Sequence, residues 1–214
     1  MITGTTEEIQ FWKTFTTTQR FKDNWLSDSP NPEQREWTRE LIRLHSPQNT
    51  LDCGSGACSI LTGTVKNITA TDLLAEEYRK MLDYSQYPHV SIPKAIPTEE
   101  LPFEDEFDLV IMSNALDHTQ QPNVAFENLL KACKVGGMVI IQGFVDEAVF
   151  ENWRGMHQWN ISGKNRQFTI QGKKQSFVYN CKQSDILASE LLNTGKQWIT
   201  LVIKKDGSEK LETL

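Results

Sequence analysis

The sequence predicts an α/β fold, a mostly parallel sheet with helices on both faces. Three observations carry that prediction. FDLVIMS (107–113) and MVIIQGF (138–144) are unbroken apolar runs, the pattern of strands buried on both faces. A helical pattern from about Asn123 to Lys134 separates them, as a parallel crossover requires. Further upstream, TLDC (50–53) runs straight into the glycine loop GSGACS, a strand-to-turn junction of the kind that binds ligands in such sheets.

The elements follow in order. Residues 1–47 read as a helical cap of two helices. In the first, Ile9, Trp12 and Phe15 form an apolar stripe. In the second, Asn31, Pro32 and Gln34 mark a capped start, and Trp37, Leu41 and Leu44 fall at i, i+4 and i+7. After the glycine loop a short helix is expected, then a second strand at ITATD (68–72). A helical run follows, with Tyr78, Met81 and Leu82 on one face. VSIPKAI (90–96) reads as a third strand, placed at an edge by Pro93. The helix at 123–134 is expected to end at Gly136-Gly137.

Beyond Val145 the alternation breaks. Residues 146–182 read as a hairpin-containing insertion after the fifth strand, on the substrate side of the sheet. RQFTIQ and QSFVYN are its arms and Gly172-Lys173-Lys174 its turn. SDILASELLN (184–193) reads as a last helix ending before Gly195, and WITLVIK (198–204) as a returning strand. The Lys204-Lys205 pair reads as a solvated turn. The whole chain, 1–214, fits one domain.

Composition narrows the function. The 214 residues include 22 Lys plus Arg and 28 Asp plus Glu, a formal charge of −6. That balance argues against nucleic acid as a partner. No apolar run approaches the roughly 20 residues that cross a bilayer, so no membrane partner is expected. The acidic N-terminal stretch has no hydrophobic signal core, and a cytoplasmic location is expected. Cys53, Cys58, Cys133 and Cys181 show no ligand spacing, so reduced thiols and no metal are expected.

Two acids flank the glycine loop. Asp52 ends the first strand immediately before it, and Asp72 ends the second strand 20 residues on, where an acid can accept from ribose hydroxyls. A dinucleotide would set its pyrophosphate against Asp52, which repels it. Ser59 also stands where the dinucleotide fingerprint has its third glycine. S-adenosylmethionine carries an ammonium, a sulfonium and a ribose, and suits both acids. An ordinary strand–turn–helix with surface acids is the competing reading.

Four stretches, LDCGSGACS, ATDLLAEEY, EELPFEDEFDLVIMSNALDH and LLKACKVGGMVII, resemble the class I SAM-dependent methyltransferases in order and spacing, over roughly Thr50 to Gln142. The resemblance implies a Rossmann-like, seven-strand type sheet and S-adenosyl-L-methionine as cofactor. It implies that Asp52, Gly54, Ser55 and Gly56 line the methionine part, that Asp72 holds the ribose, and that Leu73 packs on adenine. Cys58 stands where many members have a third glycine. Pro97 stands near the position of an adenine-binding Asp, which leaves Thr98 and Glu99 as adenine contacts. Asn114 is expected to support the cofactor or its loop.

His118 lies in the loop SNALDH after a buried strand, with Asp117 beside it; histidine is the side-chain type suited to a base near neutral pH, and an ordinary polar residue near the strand end is the competing reading. In the insertion, FENWRGMHQWN offers Trp153 and Trp159 as flat faces for a sugar or other polar small molecule, with His157 as a second base candidate. That stretch resembles a segment of methyltransferases from bacterial polysaccharide gene clusters. A lid, or a contact with a second copy in a homodimer, fits the same tryptophans. Trp12, Phe15, Phe21 and Trp25 fit either a lid over the site or a core. The absence of a Pro-Cys dipeptide and of an Asn/Asp-Pro-Pro-aromatic motif argues against nucleic-acid bases as acceptors. The reading is therefore methyl transfer to a small-molecule oxygen; an NAD(P)-dependent oxidoreductase and a non-catalytic methyltransferase-like partner protein are the alternatives.

Overall fold

The computed structural model describes residues 4–213. Its central sheet has six strands in the order β2-β1-β3-β4-β9-β8. They are β1 (Thr50–Cys53), β2 (Ile68–Thr71), β3 (Phe107–Ser113), β4 (Cys133–Phe144), β8 (Ile186–Leu191) and β9 (Gln197–Lys204). β1 to β4 run parallel, β9 pairs antiparallel with β4, and β8 pairs antiparallel with β9. The chain leaves β1 for β2 on one side and returns to β3 on the other. That reversal opens a crevice at the carboxyl ends of the strands.

Alternation along each strand feeds two cores. Leu109, Ile111, Met138, Ile140 and Val202 face Ile42 and Leu61. Val110, Met112, Val139, Ile141 and Leu201 face Phe126 and Leu129 of helix α5 (Pro122–Ala132). Helices therefore cover both faces. On the second face α5 is joined by a four-stranded antiparallel sheet, β10-β7-β6-β5. Its strands are β5 (Asn160–Lys164), β6 (Gln167–Gln171), β7 (Ser176–Asn180) and β10 (Leu211–Thr213). The expected hairpin is β6–β7, and Phe168, Ile170, Phe177 and Tyr179 pack it into the core.

Several expectations are corrected. The N-terminal segment forms three helices, α1 (Thr5–Phe15), α2 (Gln19–Trp25) and α3 (Glu36–His45). Asn31 does not start α3; its side chain accepts from Glu33 N at 2.9 Å in a local turn. The buried face of α3 carries Thr38 and Ile42, while Leu44 is 69% exposed. The segment after the glycine loop is a series of turns, because Thr62 Oγ1 donates back to Ser59 O and Gly63 takes φ +76° against the backbone of Ser29. α4 (Ala75–Met81) follows β2 as expected, with Tyr78 buried.

The third strand is reduced to one bridge, Thr71 with Lys94, at the expected edge. Pro93 has no N–H to give, and its carbonyl accepts from Arg79 at 2.8 Å. Among the described residues the sheet thus has six strands and not seven, and the insertion follows the fourth. α5 ends at Ala132 and passes directly into β4, which contains Gly136 and Gly137; a Cβ on Gly137 would come within 2.8 Å of Cys133 Sγ. The last expected helix is strand β8, closed onto β9 by a turn with Gly195 at φ +80°. Its apolar spacing follows the helical period, and the ladder to β9 overrides it. Lys205 is not a solvated turn residue: its ammonium reaches Asp105 at 2.8 Å and the carbonyl of Cys133. Cys53, Cys58 and Cys133 are buried free thiols, and Cys181 is a partly buried one. Among the described residues, no helix is long and apolar enough to cross a membrane.

Candidate active site

The loop after β1 is held by its neighbours. Gly54 N and Ser55 N donate to Thr71 O at 2.8 and 3.1 Å. Gly54 sits at φ +65°, and a Cβ there would lie 2.5 Å from that of Ala115. Gly56, at φ +64°, lies beneath the indole of Trp12. Both positions need glycine for backbone conformation and for close approach.

Asp52 is 1% exposed. Ser59 Oγ donates to its Oδ2 at 2.5 Å, and its Oδ1 has no partner. Burial, opposed by the Ser59 hydrogen bond, pushes its pKa up to about 7, and the nearby Asp72 adds to the rise. A buried carboxylate with one free oxygen fits a cationic ligand group. Asp72 accepts from Gly56 N at 2.9 Å, Leu74 N at 2.8 Å and Tyr78 OH at 3.2 Å. It therefore ties loop, strand end and α4 together. Burial raises its pKa against those hydrogen bonds.

A cavity of about 830 Å³ opens above these residues. Asp52, Gly54, Ser55, Gly56, Asp72, Leu73, Thr98, Glu99 and Asn114 all line it, as do His118 and His157. Asn114 holds φ +52° by donating its N–H to Gln142 O at 2.7 Å, and its buried Oδ1 has no partner. Glu99 is already engaged: its Oε1 accepts from Gln120 N at 2.7 Å and Gln121 N at 3.3 Å. Thr98 O accepts from Asn128 at 3.0 Å. Trp12, Phe15 and Trp25 line the cavity, with Phe15 packed edge-on against both tryptophans, whereas Phe21 is fully buried. The lid and core readings of these aromatics therefore divide between residues.

His118 and His157, far apart in sequence, meet at the opposite end. His157 Nδ1 lies 2.7 Å from Asp117 Oδ2 and 3.1 Å from His118 Nε2. Asp117 is 4% exposed. Burial alone would raise its pKa, but the charges of His118 and His157 hold it below the ordinary range. For His157, burial acts downward, yet the Asp117 hydrogen bond and the charges of Asp117 and Glu147 leave it above its ordinary value.

The two tryptophans expected to meet substrate are elsewhere. Trp159 is 7% exposed, donates Nε1–H to Thr119 O at 2.8 Å and packs in the core. Trp153, at φ +57°, lies under Lys173 Nζ at 5.2 Å. Neither is among the residues lining the cavity. In their place the cavity wall carries Phe144, Trp198, Glu147 and Met156. Phe144 and Trp198 are register partners of β4 and β9, ring centroids 4.9 Å apart. Trp198 Nε1 and Glu147 Oε2 are buried without partners. Glu147 lies just beyond the carboxyl end of β4, at the start of a short helix, so a search for acids near strand ends could have found it. Trp198 carries no such signal, because only the antiparallel pairing brings it there.

Residues 51–141 match the family model described as a methyltransferase domain. No curated protein matches the sequence. The N-methyltransferase NodS from Bradyrhizobium japonicum, in complex with S-adenosyl-L-homocysteine, has a similar structure: TM-score 0.55 at 14% identity, covering 93% of this chain and 97% of that one. An S-adenosylmethionine-dependent methyltransferase from Clostridium acetobutylicum gives 0.53 at 11%, covering 94% and 99%. The fold is that of the class I SAM-dependent methyltransferases. Within it, the matched span runs from β1 to β4 and contains every residue expected to hold the cofactor.

Proposed function

We propose that this chain transfers a methyl group from S-adenosylmethionine to an oxygen of a small hydroxyl-bearing acceptor, a sugar or glycan precursor. One observation carries the reading: a single cavity joins the two acids at the glycine loop to a pair of imidazoles braced by a buried carboxylate. When bound, the cofactor supplies an electrophilic methyl on a sulfonium. The unpartnered Oδ1 of Asp52 receives the amino-acid ammonium. Asp72 keeps one carboxylate position for a ribose hydroxyl after its three present hydrogen bonds. Leu73 and Thr98 supply the adenine side, and Glu99 supports it through its hold on the start of α5.

At the other end, His157 Nδ1 is committed to Asp117, so Nε2 is the nitrogen that can take the acceptor's proton. His118 shares the same braced cluster. Support for a hydroxylated ring comes from the wall: flat faces on Phe144 and Trp198 beside one unused donor, Trp198 Nε1, and one unused acceptor, Glu147 Oε2. Trp12, Phe15 and Trp25 screen the loop end from water.

The test is calorimetric titration with S-adenosylhomocysteine, with NADH as control, followed by labelled methyl transfer to methyl glycosides. Saturable binding of the first ligand alone is expected. His157→Gln should keep that affinity and slow transfer by roughly 100-fold or more. Binding of NADH in preference to S-adenosylhomocysteine would overturn the reading.

A further inference from the structure

Three polar atoms converge on one position at the acceptor end of the cavity. His118 Nε2, His157 Nδ1 and Asp117 Oδ2 form a triangle with sides of 3.1, 2.7 and 3.4 Å. Hydrogen bonding explains only part of it. The Nδ1–H of His157 satisfies Asp117; a second N–H on His118 Nε2 would confront it at 3.1 Å, and a bare Nε2 would have to share the same hydrogen. The three ligand-type atoms thus lie close enough together for one cation to replace the shared hydrogen.

That spacing suits a metal ion. Donors held at about 2.1 Å lie about 3.0 Å apart at right angles and about 3.4 Å apart at the tetrahedral angle. Two sides of the triangle fall in this range, and the third reaches it by opening a few tenths of an ångström. A second observation points the same way. Glu147 is 7% exposed, lines the same cavity and leaves Oε2 without a hydrogen-bond partner. Asp117 and His157 both act on its charge, and its own charge acts on His157. Two imidazoles with a carboxylate form a nitrogen-rich set that selects transition metals over magnesium or calcium. Cysteine spacing could not reveal such a site, because its ligands come from the loop after β3 and from the insertion.

We propose that Asp117, His118 and His157 bind one divalent transition-metal ion, with its remaining coordination positions open to the acceptor cavity. The ion takes the place of the hydrogen on His157 Nδ1 and uses the lone pair of His118 Nε2. Occupancy is therefore exclusive with the base role described above. The metal site rests on the geometry of the three atoms and not on that role.

Zn2+ and Co2+ are the probes, used on full-length protein freed of metal by chelation. Calorimetry should show a single Zn2+ site, and Co2+ should give ligand-field absorption that Zn2+ displaces. Loss of a mere supporting partner weakens metal sites about 10–100-fold, so His118→Gln and His157→Gln should each weaken Zn2+ binding by more than roughly tenfold. S-adenosylhomocysteine binding by the same variants verifies that they are folded. Absence of the cobalt bands, or Zn2+ affinity unchanged in both folded variants, overturns the site. Methyl transfer is read separately: the base assignment requires that bound Zn2+ suppress it. Faster transfer with the metal would leave the site standing and remove the base assignment.

Discussion

Replacing Asp52 by asparagine should stabilise the ligand-free protein and weaken its hold on the cofactor. The carboxylate is 1% exposed, and one of its oxygens has no partner. Burial pushes its pKa from the ordinary 3.8 to about 7. A folded-state pKa above the unfolded value means that the site's contribution to stability is full below about pH 4 and is lost as pH rises to about 7. The difference of about 3 units corresponds to about 4 kcal/mol at about 1.36 kcal/mol per unit. The amide of the Asp52→Asn variant would still accept from Ser59 and carries no charge, so it escapes this loss. A gain of about 2–4 kcal/mol at pH 8 is expected, or a rise in Tm of roughly 4–16 °C for a chain of this size. The assay is thermal unfolding of both proteins from pH 4 to pH 8, without ligand. The gap should be small at pH 4 and widen with pH. A gap that stays constant would refute the picture of a buried, unpaired charge. Binding should move oppositely. With its pKa pushed up to about 7, Asp52 passes from mostly protonated at pH 6 to mostly ionised at pH 8, so wild-type affinity for S-adenosylhomocysteine should climb over that window, and the variant's should not.

Further outcomes follow from the same geometry. Gly54→Ala forces a side chain into φ +65° and within 2.5 Å of Ala115 Cβ; about 2 kcal/mol or more of stability should be lost, read by urea unfolding, together with S-adenosylhomocysteine binding. Trp159→Phe leaves the buried Thr119 carbonyl unpaired and should cost about 1–3 kcal/mol, yet leave the acceptor KM of the folded protein unchanged; a raised KM would restore Trp159 to the acceptor site. Glu147→Gln removes a buried carboxylate from the cavity wall and should raise the acceptor KM by about tenfold, with S-adenosylhomocysteine affinity unaffected.

How much is legible in the sequence divides along the cavity. The half proposed for the cofactor is local: strand, glycine loop and strand-end acids lie within a short stretch, and the residues named from it line the cavity. Glu99 lines it too, but its carboxylate serves Gln120 and Gln121, a use that only coordinates reveal. On the acceptor side, His118 and His157 stand out separately, and nothing in the sequence shows that they touch. SDILASELLN misleads because Ile186, Leu187, Leu191 and Leu192 fall on a helical face, while the ladder to β9 makes Ile186–Leu191 an edge strand. VSIPKAI has strand composition, but Pro93 limits it to one bridge. Trp153 and Trp159 suit a sugar by their chemistry alone, and packing assigns them elsewhere.

The insertion explains why aromatic content is a poor guide. Its hairpin, β6–β7, buries Phe168, Ile170, Phe177 and Tyr179 against the face shared with α5, so most of its large side chains are spent on the core. Only the stretch between β4 and β5 reaches the cavity, through Glu147, Met156 and His157. The opposing wall comes from the β8–β9 turn and from Trp198, held against Phe144 by the β4–β9 ladder. On the proposed function, the acceptor meets His118 after β3 and two short segments anchored to the ends of β4 and β9. The glycine loop is anchored separately, through Thr71 and Asp72. Substitutions at 144–157 and 192–198 can therefore change the acceptor while leaving the hydrogen bonds that shape the cofactor loop intact.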